Sequence, residues 1–186
     1  GKMWTYLPMG PFDDLDRYNE CLIHFSEAKN AVHFAIVDKK TERAVGTFCL
    51  TKINPENGVV EIGLVAFSPD LQRTTMSTEA CYLLMKYVFE TLGYRRCEWK
   101  CDTFNEPSKR AAMRLGFKLD GTFRQGGVYK GRNRDEHWLS IINGEWEVCR
   151  MAFEQWLCTE NFNYGIQKSS LWAIRDSITA GTPDRV

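Results

Sequence analysis

The sequence lacks the signals that mark several classes of protein. Lys and Arg together number 24, and so do Asp and Glu, so there is no surplus of positive charge of the kind that nucleic-acid-binding domains usually carry. No apolar run approaches the roughly 18 residues of a membrane-spanning helix, and no charged-then-apolar pattern of a signal peptide opens the sequence. The three histidines, His24, His33 and His137, have no metal-ligand spacing. We therefore expect no nucleic acid, no membrane and no metal among the partners of this chain.

The cysteines do not form a recognisable disulfide framework. Their number is odd and no CxxC pair occurs. Cys97 and Cys101 lie in a predicted strand with their Cα atoms roughly 13 Å apart, which is too far for a disulfide. We interpret all seven as reduced thiols, most of them small core residues, which predicts a cytoplasmic protein. They are Cys21, Cys49, Cys81, Cys97, Cys101, Cys149 and Cys158.

What the chain does have is enough apolar sequence for a real core. Hydrophobic residues make up 44% of the sequence, and its length of 186 residues suits one domain, or one domain with an appendage. No internal repeat or low-complexity linker divides it. We predict an α/β domain over residues 1–143, with a C-terminal helical extension and tail over residues 144–186 packed on the same domain.

The first half of the chain predicts a loop, one helix and an antiparallel meander. Residues 4–12 mix aromatic residues with proline and glycine, and Asp13-Asp14 open a helix that runs to about Glu27. Three apolar strands follow, with Asn57-Gly58 as a strong hairpin signal between the last two. The predicted strands are residues 32–38, 44–52 and 59–67.

The second half alternates helices and strands. A strand–helix–strand run favours parallel pairing of residues 59–67 with residues 94–102 across the helix between them. That helix is predicted to stop at Gly93 and to place on one face Met76, Ala80, Leu83, Leu84, Tyr87 and Val88. The next predicted elements are a helix at 105–116 and strands at 117–124, 128–130 and 136–143, with a turn at 131–135. A helix at 145–158 is predicted to stack on one side Trp146, Cys149, Phe153 and Trp156. A loose tail follows that includes Gly181, Thr182 and Pro183.

The turn at residues 68–80 is the most informative stretch. It follows an apolar strand, is crowded with small hydroxyl residues and opens the long helix. Backbone N–H groups and the positive end of the helix dipole would converge there, an arrangement that suits an anion and above all a phosphate group. The alternative is an ordinary helix start with Thr74 as its cap.

Eight short motifs occur in a specific order between residues 4 and 146. They are Trp4-Thr5-Tyr6-Leu7-Pro8, Val59-Val60-Glu61-Ile62-Gly63, Leu71-Gln72-Arg73-Thr74, Thr78-Glu79-Ala80, Glu98-Trp99-Lys100-Cys101-Asp102, Asn105-Glu106-Pro107-Ser108, Leu115-Gly116-Phe117 and Lys130-Gly131-Arg132-Asn133-Arg134-Asp135. Together they resemble the GNAT acetyltransferase superfamily, and within it the RimJ/RimL type of ribosomal-protein N-acetyltransferase.

The resemblance implies a mixed, twisted, V-shaped sheet flanked by helices, which holds acetyl-CoA as co-substrate between two splayed strands. Backbone groups at the end of the central strand would pair with the pantetheine arm, and one N–H would stabilise negative charge on the thioester oxygen. Residues 72–78 would hold the pyrophosphate, with Arg73 near a phosphate. The implied cofactor-binding residues are Leu64, Val65, Ala66, Phe67, Gln72, Arg73, Thr74, Thr75, Met76, Ser77, Thr78, Asn105 and Ser108. A purely structural strand is the alternative for the first four.

The resemblance also implies two catalytic residues. Ser108 is placed to protonate the leaving thiolate, where many family members use a tyrosine, and Glu61 is the first choice for the base that takes a proton from the amine. Helix capping is the alternative for Asn105 and Ser108, and a salt bridge is the alternative for Glu61. Glu136, His137 or a chain of waters are the other candidates for the base.

Two features depart from the family pattern. Its cofactor turn reads Gln/Arg-x-x-Gly-x-Gly/Ala, but Thr75 stands at the first glycine position, where its Cβ would narrow the approach of the pyrophosphate. We expect weakened or adjusted cofactor binding. A first strand–helix unit of roughly 30 residues or more is expected upstream of Trp4 and is missing from this sequence. The edge that it would leave exposed makes a homodimer an option.

The sequence thus predicts an N-acetyltransferase that moves an acetyl group from acetyl-CoA to a primary amine within a ternary complex. The acceptor stays open between a protein or peptide N-terminus and a small amine, amino acid or antibiotic. Lys130, Arg132 and Arg134 would either meet an acidic acceptor or a CoA phosphate, or form a solvated hairpin. A catalytically silent module of the same fold, which only binds a ligand or partner, is the alternative of a different class.

Overall fold

Residues 4–181 are described by the computed structural model, and their helices and strands follow the alternation of apolar and polar residues in the sequence. In chain order they are α1 (Leu15–Ser26), β1 (Ala31–Asp38), β2 (Arg43–Asn54), β3 (Val59–Phe67), α2 (Thr75–Lys86), β4 (Arg96–Asp102), α3 (Glu106–Leu115), β5 (Lys118–Tyr129), β6 (Arg132–Ile142), α4 (Asn143–Leu157), β7 (Phe162–Asn163), β8 (Ile166–Gln167) and α5 (Leu171–Gly181).

Six strands form one mixed sheet in the order β1-β2-β3-β4-β6-β5. β1, β2 and β3 pair antiparallel, as the meander predicts. β3 and β4, which are joined through α2, pair in parallel. The α/β fold with a mixed sheet flanked by helices is therefore confirmed. β1 is one edge of the sheet, and a homodimer through an exposed edge stays a prediction.

The sheet has two chemically different faces, because successive side chains of a strand point to opposite sides. Val60 and Ile62 lie on the face that packs against α2 and α4, where Met85 and Phe153 are completely buried. Burial of side chains of this size stabilises the fold by about 1.5–3 kcal/mol each. We call this side the core face. The opposite side carries Glu61 and is overlain by α1, and we call it the α1 face.

Predicted helix boundaries are confirmed by their capping contacts. Asp14 begins α1, and its carboxylate accepts a 2.8 Å hydrogen bond from the Arg17 backbone N–H. Gly116 ends α3 with a φ of 115°, a left-handed conformation that glycine adopts without strain. Gly93, also at positive φ, follows a π-helical turn at Tyr87–Thr91 that extends α2.

The buried side of α2 differs from the predicted one. Leu83 and Tyr87 were predicted on the apolar face but are 55% and 41% exposed. The row that faces the core instead starts at Thr78 and follows the i, i+3, i+4, i+7 spacing: Thr78, Cys81, Tyr82 and Met85. A threonine can occupy this row because its Oγ1 accepts a 3.0 Å hydrogen bond from Arg114, so its buried polar atom has a partner.

β5 and β6 form one long hairpin, which corrects the prediction of three strands. The turn is Lys130-Gly131, with φ values of 45° and 75°, as a two-residue hairpin turn requires, and not residues 131–135. Residues 132–135 look like a turn because they are polar, but they lie in β6. β5 also runs on through residues 124–128, with its register shifted between Phe123 and Gly127.

The C-terminal extension contains more regular structure than predicted. α4 buries the predicted stack of Trp146, Cys149, Phe153 and Trp156. The short β7–β8 hairpin and α5 follow, and Gly181, predicted in a loose tail, is the last residue of α5. Thr182 and Pro183 lie outside the described residues, and the domain boundary at residues 143 and 144 stays a prediction.

Three expectations from composition can be compared with the fold. Five of the seven cysteines are buried, as expected of small core residues: Cys49, Cys81, Cys97, Cys101 and Cys149. Within residues 4–181, no helix combines the length and the apolar character needed to cross a membrane. The same residues contain no group of three His, Cys, Asp or Glu side chains placed to hold a metal ion.

Candidate active site

β3 and β4 diverge part-way along their length. Their last parallel pair joins Ile62 and Trp99. β3 nevertheless continues beside β2 to Phe67, and β4 continues beside β6 to Asp102. The sheet therefore opens into a V whose two inner edges have no strand partner among residues 4–181. Such an opening can accept an extended ligand that pairs with the backbone as an added strand would.

A β-bulge lies in β3 just beyond the point of divergence. Cys49 of β2 pairs with Gly63 and Thr47 pairs with Ala66, so Leu64 and Val65 together lie opposite one residue of β2. Leu64 has a φ of 49°. A bulge interrupts the hydrogen-bond ladder and frees backbone groups. This irregularity falls within residues 64–67, which were predicted to bind pantetheine through the backbone.

The turn between β3 and α2 presents backbone N–H groups that have no partner. Thr74 is the N-cap of α2, and its Oγ1 accepts a 3.2 Å hydrogen bond from the Ser77 N–H. Within residues 4–181, the backbone N–H groups of Arg73, Thr75 and Met76 have no hydrogen-bond acceptor. These three donors lie at the positive end of the α2 dipole, where an anion is favoured.

Side chains of the same turn are mostly engaged within the protein. Gln72 donates from Nε2 to the Phe67 carbonyl at 2.8 Å, and Ser77 donates from Oγ to the Thr74 carbonyl at 2.7 Å. The Thr78 hydroxyl is buried. These contacts fix the turn against the end of β3. The donors that remain available are therefore backbone amides, as the family resemblance implies, and not the hydroxyl groups.

Arg73, and not Thr75, adopts the left-handed backbone of the turn. The φ of Arg73 is 61°, whereas Thr75 is the first residue of α2. The glycine expected at position 75 is therefore not needed for the backbone conformation, and only the space taken by the Thr75 Cβ remains as an obstacle. The Arg73 guanidinium makes no ion pair or hydrogen bond within the described chain, so it is free to meet a phosphate.

Glu61 is held between two lysines on the α1 face. Its side chain is 11% exposed, and its Oε2 lies 3.1 Å from Lys52 Nζ and 2.9 Å from Lys100 Nζ. The salt bridge weighed as the alternative for Glu61 is therefore present. Both lysines make their closest contacts with the same oxygen, Oε2.

Lys100 is the centre of this charge network. Its side chain is only 5% exposed. Its Nζ lies 3.0 Å from Glu98 Oε2 and 3.5 Å from the centre of the Trp138 ring. Burial lowers the pKa of Lys100, but its ion pairs with Glu61 and Glu98 outweigh burial and raise it above the ordinary value. Burial likewise raises the pKa of Glu98, but Lys100 and Arg96 outweigh it and hold that pKa below the ordinary value.

Asn105 and Ser108 lie at the start of α3, next to the end of β4. The Asn105 side chain accepts a 3.3 Å hydrogen bond from the Ser108 N–H, so Asn105 is the N-cap that its alternative interpretation expected. The Ser108 Oγ accepts a 3.0 Å hydrogen bond from the indole of Trp99. It also contacts the thiol of Cys101, whose pKa is raised by burial and partly lowered by this contact.

Glu61 and Ser108 lie on opposite faces of the sheet where the V begins. Glu61 pairs with Glu98 across β3 and β4, and the next pair, Ile62 and Trp99, points to the core face. Since Ser108 is bonded to Trp99, it belongs to the core-face side. Each of the two side chains would therefore approach a group held in the opening from a different face of the sheet.

The two other candidates for the base are differently placed. His137 pairs with Cys101, a core-face residue, so it points away from Glu61, and its Nδ1 is 2.9 Å from Thr122 Oγ1. Glu136 lies opposite Asp102 and holds Arg134 at 3.2 Å. Neither joins the Glu61 network.

The basic cluster of the β5–β6 hairpin is engaged within the protein. Arg132 donates to the buried carboxylate of Asp102 at 2.5 Å. Lys130 donates from Nζ to the carbonyls of Trp4 at 2.8 Å and Gly10 at 3.2 Å. The hydroxyl of the neighbouring Tyr129 donates to the carbonyls of Thr5 and Leu7. The hairpin tip thus fixes residues 4–12 beside the opening of the sheet.

A cavity of about 440 Å³ lies between α1 and the α1 face of the sheet. Its floor includes Leu64 and Ala66 of β3, two residues of the predicted pantetheine site. Residues of α1 and of the fixed loop at 4–12 form its walls. The cavity therefore reaches β3 from the same face as Glu61.

The free amides and the unpaired strand edges fit a ligand that carries both a diphosphate and an extended amide-containing arm, as acetyl-CoA does. The family model described as Acetyltransferase (GNAT) domain matches residues 2–118. The chain belongs to the GNAT acetyltransferases. It is accordingly an acyltransferase of a family that uses acetyl-CoA.

Similar proteins agree with this membership. A GCN5-related N-acetyltransferase from Brucella melitensis is 41% identical and superposes with a TM-score of 0.92, covering 94% of this chain and 80% of that chain. A probable acetyltransferase of the GNAT family from Chromobacterium violaceum ATCC 12472 is 43% identical with a TM-score of 0.75, over 78% of this chain and 73% of that one. The uncharacterized N-acetyltransferase p20 of Bacillus licheniformis is 29% identical over 78% of this chain and 83% of its own length.

Sequence reasoning assigned no role to several residues of this acetyltransferase site. Lys100, Trp138 and Lys52 surround Glu61, and Trp99 holds Ser108. The period-two pattern of β4 contains a usable signal, because charged residues of alternating sign occupy every second position and apolar residues the others: Arg96, Glu98, Lys100 and Asp102 against Cys97, Trp99 and Cys101. That pattern indicates a ladder of ion pairs on one face.

Proposed function

We propose that this acetyltransferase moves the acetyl group of acetyl-CoA to a primary amine by direct attack within a ternary complex. The observation that carries the proposal is the divergence of β3 and β4 next to three unpaired amides at the start of α2. One feature offers strand-like pairing, the other an anion site, and acetyl-CoA needs both.

In this proposal the β3 end and the α2 turn hold the co-substrate. Amides of Arg73, Thr75 and Met76 bind the pyrophosphate, and the Arg73 guanidinium neutralises a phosphate. Backbone groups of residues 64–67 pair with the pantetheine arm, and an N–H of the bulge stabilises the negative charge that develops on the carbonyl oxygen. Acetyl-CoA supplies the activated acyl group as a thioester.

Proton transfer is assigned to Glu61 and Ser108. Glu61 takes a proton from the amine on the α1 face, directly or through water, while its Oε2 stays paired with the two lysines. Ser108 donates its proton to the leaving thiolate on the other side of the opening. Trp99 uses the oxygen as an acceptor, so the hydroxyl hydrogen can turn from the Cys101 thiol to the leaving thiolate.

The acceptor has two candidates at this level. The order of the sequence motifs favours the RimJ/RimL type, and hence a protein or peptide N-terminus. A small amine is the other candidate, and it is favoured by the cavity beneath α1, which has a volume of about 440 Å³. A cytoplasmic location is part of the proposal, since the thiols of this chain are unpaired and five of them are buried.

The test of the function is binding followed by turnover. We expect calorimetry to show saturable binding of acetyl-CoA, and a thiol-release assay with a panel of amines to show acetyl transfer. A matched variant, Thr74→Ala, removes the cap of the anion site and should weaken binding while leaving the fold intact. Absence of heat and of any thermal shift at millimolar acetyl-CoA would instead favour the catalytically silent module.

A further inference from the structure

The cavity beneath α1 has a lining without charge. None of the residues that line it is Asp, Glu, Lys or Arg, although these types make up 26% of the sequence. All of its lining residues lie within the described chain. The contrast is sharpest along α1 itself, where Tyr18, Cys21, Leu22 and Phe25 face the cavity while the acidic residues of the helix do not.

Two ionisable groups of the lining, His33 and Cys21, are shifted toward their uncharged forms. Burial lowers the pKa of His33, which keeps its ring neutral at pH 7, and burial raises the pKa of the Cys21 thiol. The ring of His33 stacks on Phe25 with their centres 4.6 Å apart and their planes at 9°. Thr47 and Ser26 add hydroxyl groups but no charge.

Aromatic rings form one wall of the cavity. Trp4 packs edge-on against Phe12 at 5.2 Å, and Phe12 packs in the same way against Tyr18 at 5.4 Å. The contacts of Lys130 with the Trp4 carbonyl fix this wall in place. The rings are therefore arranged before a ligand arrives, which reduces the entropy cost of binding a flat apolar group.

The size of the cavity suits a small molecule. Its volume of about 440 Å³ falls in the range of ligand pockets, and its floor reaches the bulge residue Leu64. An amine placed at the floor would lie at the V on the Glu61 face, with the rest of its molecule between the rings of the wall and α1.

We infer that the acceptor is a small primary amine on an apolar, ring-bearing body, and not a polyamine. The inference rests on the proposed function and narrows its acceptor. A second or third ammonium group of a polyamine held inside the cavity would give up part of its hydration without gaining a carboxylate from the lining. The uncharged lining also favours the neutral form of the reacting amine, which is the form that attacks.

An acceptor panel tests the inference on the full chain. The probes are 2-phenylethylamine, spermine and a hexapeptide with a free N-terminal serine, each at saturating acetyl-CoA. We expect kcat/KM for phenylethylamine to exceed that for the other two by at least tenfold. Faster turnover of spermine or of the peptide would overturn the inference while leaving the transferase function in place. Absence of acetyl-CoA binding would instead overturn the proposed function.

Two neighbouring substitutions on α1 provide a matched pair. Leu22 lines the cavity, whereas Ile23, the next residue, does not and is 57% exposed. Leu22→Glu places a carboxylate at the cavity and should lower kcat/KM for phenylethylamine at least tenfold while raising that for spermine. Ile23→Glu makes the same change of charge and should alter neither by more than twofold. Equal thermal midpoints and equal acetyl-CoA affinities exclude a folding defect, and equal effects of the two substitutions would contradict the inference.

Discussion

Trp99 donates a 3.0 Å hydrogen bond from its indole nitrogen to the hydroxyl oxygen of Ser108. Trp99 is buried in β4 and packs edge-on against Phe117, with ring centres 5.7 Å apart. Because this rigid ring occupies a lone pair of the Ser108 oxygen, the hydroxyl hydrogen points away from the indole, either to the Cys101 thiol or to a leaving thiolate. The hydrogen bond thus fixes the orientation of the Ser108 side chain, the proposed acid.

Replacement of Ser108 tests its role as the acid. We expect Ser108→Ala to lower kcat by roughly 10²-fold, the lower end of the usual contribution of general acid catalysis, with little change in KM for acetyl-CoA. The decrease in kcat should be smaller with acyl donors that have a more acidic thiol, because their thiolate leaves without protonation. Steady-state kinetics with two such donors makes the measurement.

The matched variant for that experiment is Trp99→Phe, which keeps the packing on Phe117 but removes the donor. As a positioning change it should lower kcat by less than the Ser108 substitution and show the same dependence on the leaving group. A fall in kcat for Ser108→Ala that is the same for all donors would contradict proton donation.

Much of the fold could be predicted because local chemistry and tertiary packing agree. β3 has the predicted bounds, and Asp14 and Gly116 cap helices where their side-chain and backbone preferences place them. The predictions failed where a partner distant in sequence changes the meaning of a residue. Thr78 is a core-facing position only because Arg114, on α3, satisfies its hydroxyl.

Some features of the candidate site could likewise be predicted from the sequence, and others could not. The amides at the start of α2 could be predicted, because a capped helix start leaves its first N–H groups free whatever surrounds it. The partners of Glu61 could not, since Lys52 and Lys100 come from two different strands and meet it only through the register of the sheet. The cavity likewise depends on how α1 lies over β1 to β3, which no local pattern specifies.

The Glu61–Lys100 pair should be energetically coupled. Glu61→Gln leaves a buried ammonium with one carboxylate fewer, so we expect a loss of about 1–3 kcal/mol in the free energy of unfolding. Lys100→Met should also destabilise, and the double variant should lose less than the sum, with a coupling of about 0.5–3 kcal/mol. Urea unfolding at pH 7 measures all three.

Lys52 supplies the control for that cycle. It contacts the same oxygen of Glu61 but is 60% exposed, so Lys52→Met should cost no more than about 1 kcal/mol. Strictly additive effects of Glu61→Gln and Lys100→Met would show that the pair does not act as a unit.

Glu98 should make stability depend on pH on the acid side. Its folded pKa lies below the ordinary value of 4.5, because Lys100 and Arg96 outweigh the opposing effect of burial. The unfolded chain therefore takes up the proton first, so this stabilisation is present above about pH 4.5 and is lost as the pH falls through the folded pKa. Glu98→Gln should flatten this part of the profile.

Urea midpoints of the wild type and of Glu98→Gln between pH 3 and pH 7 test this expectation. The two should differ most near neutral pH and converge toward pH 3. A constant difference across the range would contradict the stated origin. Lys100 should make stability depend on pH on the alkaline side, because its folded pKa is raised above the ordinary value of 10.5. Its stabilisation is present below about pH 10.5 and is lost as the pH rises through the folded pKa.

Substitutions of Arg73 and of Thr75 by glycine should change the affinity for acetyl-CoA in opposite directions. Arg73→Gly relieves a backbone at φ 61° but removes the only cation that we assign to the phosphates, so affinity should fall roughly tenfold, about 1.4 kcal/mol. Arg73→Lys keeps the charge and should stay within about threefold of the wild type. Thr75→Gly removes the Cβ at the family's glycine position, and affinity should rise. Calorimetry measures the acetyl-CoA affinity of the three variants. A Thr75→Gly protein that binds no better than the wild type would show that the threonine does not obstruct the pyrophosphate.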